Sequence, residues 1–230
     1  VTPAPGPPSL FPAKSPADPR DEKETGRLEA FSDGVFAIAI TLLILDFHVP
    51  KPADIAALNG PFGTHGLLAA LLDQWPTFAA YLTSFFSILV MWVNHHSMFT
   101  LIRRVDATFL YLNGVLLLFV AFVPYPTSLV AAYIHLPDPV AAALLSITYL
   151  GIAILYTLLW RHAADGRRLL DSAATDAAVA EIRRSYRIGP PAYLAALALA
   201  FVDRRASVLT CLALALFFSF TGSRLDRQKA

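Results

Sequence analysis

One cysteine, Cys211, stands among 230 residues, so no intrachain disulfide framework can form and metal sites built on several thiolates are excluded. Charge is also scarce: Asp, Glu, Lys and Arg make up 15% of the chain, against about 25% in a soluble domain. The net charge of +1 gives nucleic-acid binding no electrostatic support. Neither a G-x-S-x-G elbow nor an HExxH pair occurs, and no other reactive constellation points to an enzyme. What fills the chain instead is apolar: 56% of residues are hydrophobic, and the mean hydropathy is +0.55. A soluble globule of this size cannot readily hide so much apolar surface, and a disordered chain would not carry it.

The few charges are segregated. None falls between Gln74 and Ile102, and only Asp138 falls between Ala107 and Trp160. A spanning helix needs about 20 largely apolar residues. That predicts an all-α membrane protein with six transmembrane helices: Leu28–Val49, Trp75–Phe99, Ala107–Ala131, Pro139–Trp160, Ile188–Val202 and Ala206–Thr221. The runs are continuous rather than alternating, which argues against a barrel. The last two are short and suggest a hairpin turning at Asp203-Arg204-Arg205. Pro124 and Pro126 predict a kink or an unwound end late in the third helix. Residues 161–187 read as an amphipathic connector. Residues 1–26 read as a disordered Pro-rich and charged tail rather than a signal peptide, residues 27–223 as the channel-sized membrane domain, and residues 224–230 as a C-terminal tail.

Lys and Arg distribution sets the expected orientation. With the N-terminus inside, inner segments hold fifteen of these residues and outer segments three, Lys51, Arg204 and Arg205. The expectation is a multi-pass protein of the cell (plasma) membrane with both termini cytoplasmic.

Ionisable residues inside a membrane helix are costly and turn toward protein or water. The first predicted helix carries Asp33 and, near its outer end, Asp46. On a helical wheel Phe31, Gly34, Thr41, Leu42 and Leu45 fall within about 60° of Ile38, and Arg27 and His48 extend that stripe to the two ends. Asp33 lies about 140° away, so the helix has an apolar face with a single hydroxyl and a second face carrying an acid. Trp92, Asn94, His95, His96 and Ser97 lie near the inner end of the second helix and Asn113 near that of the third, and Asp33, His95, His96 and Asn113 suit one hydrogen-bonded cluster. Adjacent histidines point about 100° apart on a helix, so His95 and His96 do not converge on one ion, and no structural metal is expected. Gly34 and Ala37 read as close-packing residues.

Arg27, Phe31-Ser32-Asp33, Gly34-Val35-Phe36-Ala37-Ile38 and Thr41-Leu42-Leu43 resemble the signature of the transmembrane protein 175 family of cation channels. Trp92 with His95-His96, and the stretch from Asn113 through FVAFVPYPT to Thr127, resemble the two helices that follow. The resemblance covers roughly residues 27–130. It implies a homotetramer, embedded in the lipid bilayer, with a potassium-permeable pore lined by helix one of each subunit. The pore would be narrowed by aliphatic layers at Ile38, at Leu42 or Thr41, and at Leu45. Arg27 and the FSD residues would join a polar network with Trp92, His95, His96 and Asn113. Such channels lack the TVGYG loop of ordinary potassium channels, and this sequence lacks it too. Thr41 hydroxyls would contribute to selectivity, and Asp46 would raise the cation concentration at the outer mouth. No cofactor is implied beyond potassium passing through the pore. The alternative is a proton-permeable channel or a proton-coupled transporter using Asp33 and the His95/His96 pair. Inverted repeats and broken midplane helices, the marks of a transporter, are not found in the sequence.

Overall fold

The computed structural model describes residues 19–52, 55 and 66–227, with side chains described between residues 25 and 218. Eight α-helices are found among them: α1 Pro19–Leu42, α2 Gly66–Asp73, α3 Trp75–Phe99, α4 Ala107–Phe122, α5 Pro124–Tyr133, α6 Val140–Ala164, α7 Asp176–Ala200 and α8 Arg204–Arg227. No strand occurs among the described residues, where a single antiparallel bridge joins Ile102 to Leu170.

Four segments are long and apolar enough to cross a membrane: Thr25–Asp46, Trp75–Phe99, Ala107–Tyr133 and Val140–Arg167. They match the first four predicted spans. The first departs at both ends. Residues 1–18 of the expected tail lie outside the described residues, but helix begins at Pro19, where a fixed φ suits the first turn and good helix formers follow. At the other end α1 tightens into a 3₁₀ turn, Leu43–Asp46, and the chain is extended from Phe47, not Val49, because Pro50 disfavours helix in the residue before it. The third span breaks at Val123, where Pro124 removes a backbone donor, as the proline pair predicts.

The second half differs more. Helix α7 starts at Asp176, twelve residues before the predicted Ile188, so the connector shrinks to residues 165–175. The reason is a buried stripe that runs through the polar stretch: Val179, Ile182, Gly189, Tyr193, Ala196 and Ala200 recur at helical spacing. Pro190 and Pro191 lie inside α7. A proline at 190 cannot bond the carbonyl of Tyr186, and that carbonyl instead accepts from the Thr157 hydroxyl on α6 at 3.1 Å. The hairpin turn does fall before Arg204. There Asp203 caps α8 by accepting from the backbone of Arg205 and Ala206, and Arg204 donates to the carbonyl of Ile134 at 2.9 Å. Helix α8 runs through Arg227, so the expected tail at 224–230 is helical as far as it is described. Helix α2 was not anticipated.

Helix α6 forms the centre, packed against α4, α5, α7 and α8, with Tyr149, Ile152, Leu159 and Trp160 fully buried. Small residues let the backbones approach: a Cβ on Gly151 would lie 2.4 Å from the Phe119 ring of α4, and one on Gly189 would lie 3.2 Å from Ala153. Helix α1 is peripheral, resting on α3 and α4. Only 22% of its membrane window is buried, against 56% for α6.

At the end that carries most of the arginines, the α3–α4 and α6–α7 connections are tied together. Arg103 N–H donates to Leu169 O at 2.9 Å, and Asp171 N–H to Leu101 O at 2.8 Å. Asp106 caps α4, accepting from Phe109 N–H at 2.8 Å, and its carboxylate also takes His162 Nε2 of α6 at 2.9 Å. Burial opposes the charge of Asp106, but the Phe109 N–H and then the His162 contact outweigh it and hold the carboxyl below its ordinary value. A lowered folded value means the contribution is present above the unfolded pKa and lost as pH falls through the folded one. Asp106→Ala should therefore destabilise the detergent-solubilised protein by about 1 kcal/mol at neutral pH. The gap between the melting curves of variant and parent should close below about pH 4. A gap that persists into acid would remove this cap from the account.

The exposed face of helix one and its polar support

Helix α1 buries Thr25, Ser32, Phe36, Ala39 and Leu43 against its neighbours, a spacing of three, four and seven residues. The opposite face is bare within the subunit: Phe31 is 64% exposed, Ile38 60%, Leu42 42% and Leu45 72%, with Thr41 also exposed. Ile38, Thr41, Leu42 and Leu45 thus lie on one outward stripe, as the wheel predicts. Gly34 is on it as well. A Cβ there would meet nothing within 4 Å, so the packing role expected of Gly34 is not exercised within the subunit, and Ala37 is likewise exposed.

The stripe faces outward because the other side of α1 is fastened by polar contacts at three levels. At the deepest, Ser32 Oγ donates to Leu28 O at 2.8 Å and accepts from Asn113 Nδ2 of α4 at 3.0 Å. The Asn113 carbonyl in turn accepts from His95 Nε2 of α3 at 2.9 Å. All three residues are buried. The His95 ring stacks on Phe99 with centroids 4.4 Å apart and tilts against Phe36 at 5.3 Å. With Nε2 donating, Nδ1 is left as a buried acceptor without a partner among the described residues.

The second and third levels are rungs between the antiparallel α1 and α3. Asp33 Oδ1 accepts from Trp92 Nε1 at 2.9 Å, and Glu29 Oε1 lies 3.0 Å from His96 Nδ1. Glu29 was missed in the sequence. Its signal was the matched spacing: Glu29 and Asp33 are four residues apart on α1, as Trp92 and His96 are on α3. The expected cluster is therefore three separate contacts. Arg27 is in none of them. It is exposed at the end of the outward stripe, as its wheel position requires, and has no hydrogen-bond or ion-pair partner among the described residues. His95, His96 and Asp33 each hold a different partner, and no group of three metal-ligating side chains is found among the described residues.

Two further candidates sit higher on α1. The Thr41 hydroxyl donates to Ile38 O at 2.9 Å, which leaves its oxygen lone pairs outward. Asp46 Oδ2 accepts from Ser128 of α5 at 2.6 Å, and the Asp46 carbonyl lies 2.9 Å from His48 Nδ1. Ser128 was also missed, because the fold rather than the local sequence brings it to Asp46.

Residues 27–124, which contain the stripe and all three levels of its support, match the family model described as endosomal/lysosomal potassium channel TMEM175. A potassium channel of Chamaesiphon minutus is 50% identical over 86% of this chain and 95% of its own length. The chain belongs to the TMEM175 family.

A second TMEM175 relative, a potassium channel of Streptomyces collinus, is 42% identical over 90% of this chain and 97% of its own. The crystal structure of a lysosomal potassium-selective channel TMEM175 homolog from Chamaesiphon minutus superposes with a TM-score of 0.77 at 47% identity, covering 87% of this chain and 98% of that one. TMEM175 is an ion-channel family and not an enzyme family, and with its apolar helices the chain is a multi-pass membrane protein.

Removing one member of the buried chain strands the others, at about 1–3 kcal/mol for each unsatisfied group. Asn113→Ala should strand both His95 and Ser32. It should lower thermal stability in detergent more than Asp33→Ala, which strands only the half-buried Trp92 indole. Equal melting temperatures for Asn113→Ala and the parent would show that this chain does not hold α1.

Proposed function

We propose that this chain is one subunit of a homotetrameric, potassium-permeable channel of the plasma membrane, with six spanning helices and both termini cytoplasmic. The outward stripe of α1 lines the central pore. The observation that carries this reading is that stripe: large aliphatic residues exposed on a helix whose other face is pinned by buried polar contacts. Two relatives named as potassium channels, aligned over most of their length, support the choice of ion. The lysine and arginine asymmetry supports the orientation.

The mechanism follows from what the stripe offers a hydrated ion. Ile38 lies about 14 Å along the helix axis from Asp46, where the span ends, close to the middle of a hydrocarbon core of about 30 Å. Four copies of it form a ring of methyl groups with no oxygen to replace lost hydration. Such a ring excludes ions by dewetting unless it is wide enough to stay wet. Leu42 and Leu45 repeat the constriction toward the outer end. Thr41 supplies the polar layer between them: its proton is held by the Ile38 carbonyl, so the lone pairs meet the permeating cation. Asp46 holds cations at the outer mouth, with one carboxylate oxygen engaged by Ser128. The alternative, a proton-permeable channel or a proton-coupled transporter using Asp33 and the His95/His96 pair, receives less support from the geometry, because Asp33 bonds Trp92, His95 bonds Asn113 and His96 bonds Glu29, all off the stripe.

Purified protein in liposomes should carry potassium faster than sodium, with proton flux measured separately. Ile38→Asn should wet the ring, raise flux severalfold and weaken the preference for potassium. Thr41→Val, which keeps shape and removes the hydroxyl, should shift the reversal potential in mixed potassium and sodium. Unchanged flux in Ile38→Asn together with an unchanged reversal potential in Thr41→Val would remove α1 from the pore.

A further inference from the structure

A second built feature lies on the far side of the subunit from α1, where α6 and α7 pass each other. The contact between Thr157 Oγ1 and the Tyr186 carbonyl sets their relative height. One turn beyond it, toward the arginine-rich end, Arg161 of α6 and Arg183 of α7 stand on either side of a groove of about 550 Å³, with Arg187 at the same wall. A second depression of about 540 Å³ on the other flank of α7 shares Arg183 and Arg187 and adds Arg184. All four arginines are exposed, and among the described residues none has a hydrogen-bond or ion-pair partner. One carboxylate borders the first groove, Asp165, and it lies 3.9 Å from Arg168. Glu181 is the other acid on this part of α7 and lines neither groove.

Below the arginines both helices turn apolar. On α6 Trp160 precedes Arg161, and on α7 Ile188 follows Arg187. Trp160 lines the first groove, and its indole N–H is buried without an acceptor among the described residues. Pro191 and Ile188 floor the second, and Leu194 continues the exposed apolar surface. Exposed guanidinium groups above an exposed apolar surface follow the profile of one lipid leaflet.

We infer that the Arg161/Arg183/Arg187 groove binds the phosphate headgroup of an acidic phospholipid, with its acyl chains lying along Ile188, Pro191 and Leu194. Arginine suits this role because its planar fork pairs two phosphate oxygens at once. A general excess of positive charge on one side of the membrane would not require three arginines from two helices to share one groove. The inference needs only that the chain spans a membrane, so it stands or falls apart from the pore assignment.

The test uses the full chain, delipidated in detergent, with bound lipid counted by native mass spectrometry and stability followed by thermal melting. The probes are phosphatidylglycerol, phosphatidylcholine and inorganic phosphate. Phosphatidylglycerol should be retained and should raise the melting temperature, while phosphatidylcholine and millimolar inorganic phosphate should do neither. Arg183→Gln/Arg187→Gln should weaken phosphatidylglycerol binding about thirtyfold, as expected for two arginines at a lipid surface. Arg205→Gln, a charge change at the opposite end, should leave it unaltered. If the double variant does not fold, Arg187→Gln alone should give a smaller loss in the same direction. Equal retention of phosphatidylglycerol by parent and arginine variants would overturn the inference. So would protection by inorganic phosphate alone, which would mark a free-anion site, and so would equal binding of phosphatidylcholine.

Discussion

The buried chain from Ser32 through Asn113 to His95 decides which way helix one faces. Each member lies in an apolar interior where an unmet donor or acceptor is expensive, and each is joined to the next across two helices. The chain can be satisfied only when the Ser32 side of α1 lies in the cleft between α3 and α4. Once that side is committed, helical geometry turns Ile38, Thr41, Leu42 and Leu45 outward with no further choice. The Asp33–Trp92 rung, on the residue beside Ser32, and the Glu29–His96 rung, three residues before it, repeat the instruction. Polar groups near one end of α1 thus set the chemistry of an apolar surface in its middle.

The remaining helices obey the same demand that backbone and side-chain polar groups be met inside the bundle. Pro190 frees the Tyr186 carbonyl, and Thr157 on α6 meets it. Tyr156 donates to the Met91 carbonyl at 2.6 Å, and Tyr186 donates to that of Asn94 at 3.1 Å, fastening α6 and α7 to α3. Ser84, Thr127 and Tyr149 join α3, α5 and α6 in one hydroxyl cluster. Gly151 lets α6 and α4 come close enough for Phe119 to cover it. The result is a subunit closely packed on the α6 side and exposed on the α1 side.

Much of this was legible in the residues. The two faces of α1 followed from helical periodicity alone, and so did the separation of Asp33 from Ile38. The second, third and fourth spans followed from the scarcity of charge, and the first from a long apolar run that carries Asp33 and Asp46. Their ends did not, because a helix end depends on local tightening and on partners elsewhere, as Ser128 is for Asp46. The early start of α7 was hidden because its arginines dominate the composition of residues 176–187, whereas the stripe of Val179 and Ile182 that buries the helix is narrow. Grouping Asp33, His95, His96 and Asn113 into one cluster placed them at the right depth. It could not resolve that adjacent residues on one helix address different neighbours. Glu29 escaped notice because an acid at a helix end looks solvated until its partner on the next helix is known.

The central claim is that the outward stripe of α1 meets its counterparts around a shared axis in the membrane. Oxidative cross-linking in native membranes tests it most directly. In a Cys211→Ser background, Ile38→Cys places a single thiol at the narrowest part of that axis, and Leu209→Cys places one on the exposed face of α8, at 65% exposure. The account predicts that Ile38→Cys forms disulfide-linked dimers of the chain while Leu209→Cys stays monomeric. Cross-linking through Leu209→Cys with an inert Ile38→Cys would place the subunit contacts on α8 and leave the stripe of α1 facing lipid, contradicting it.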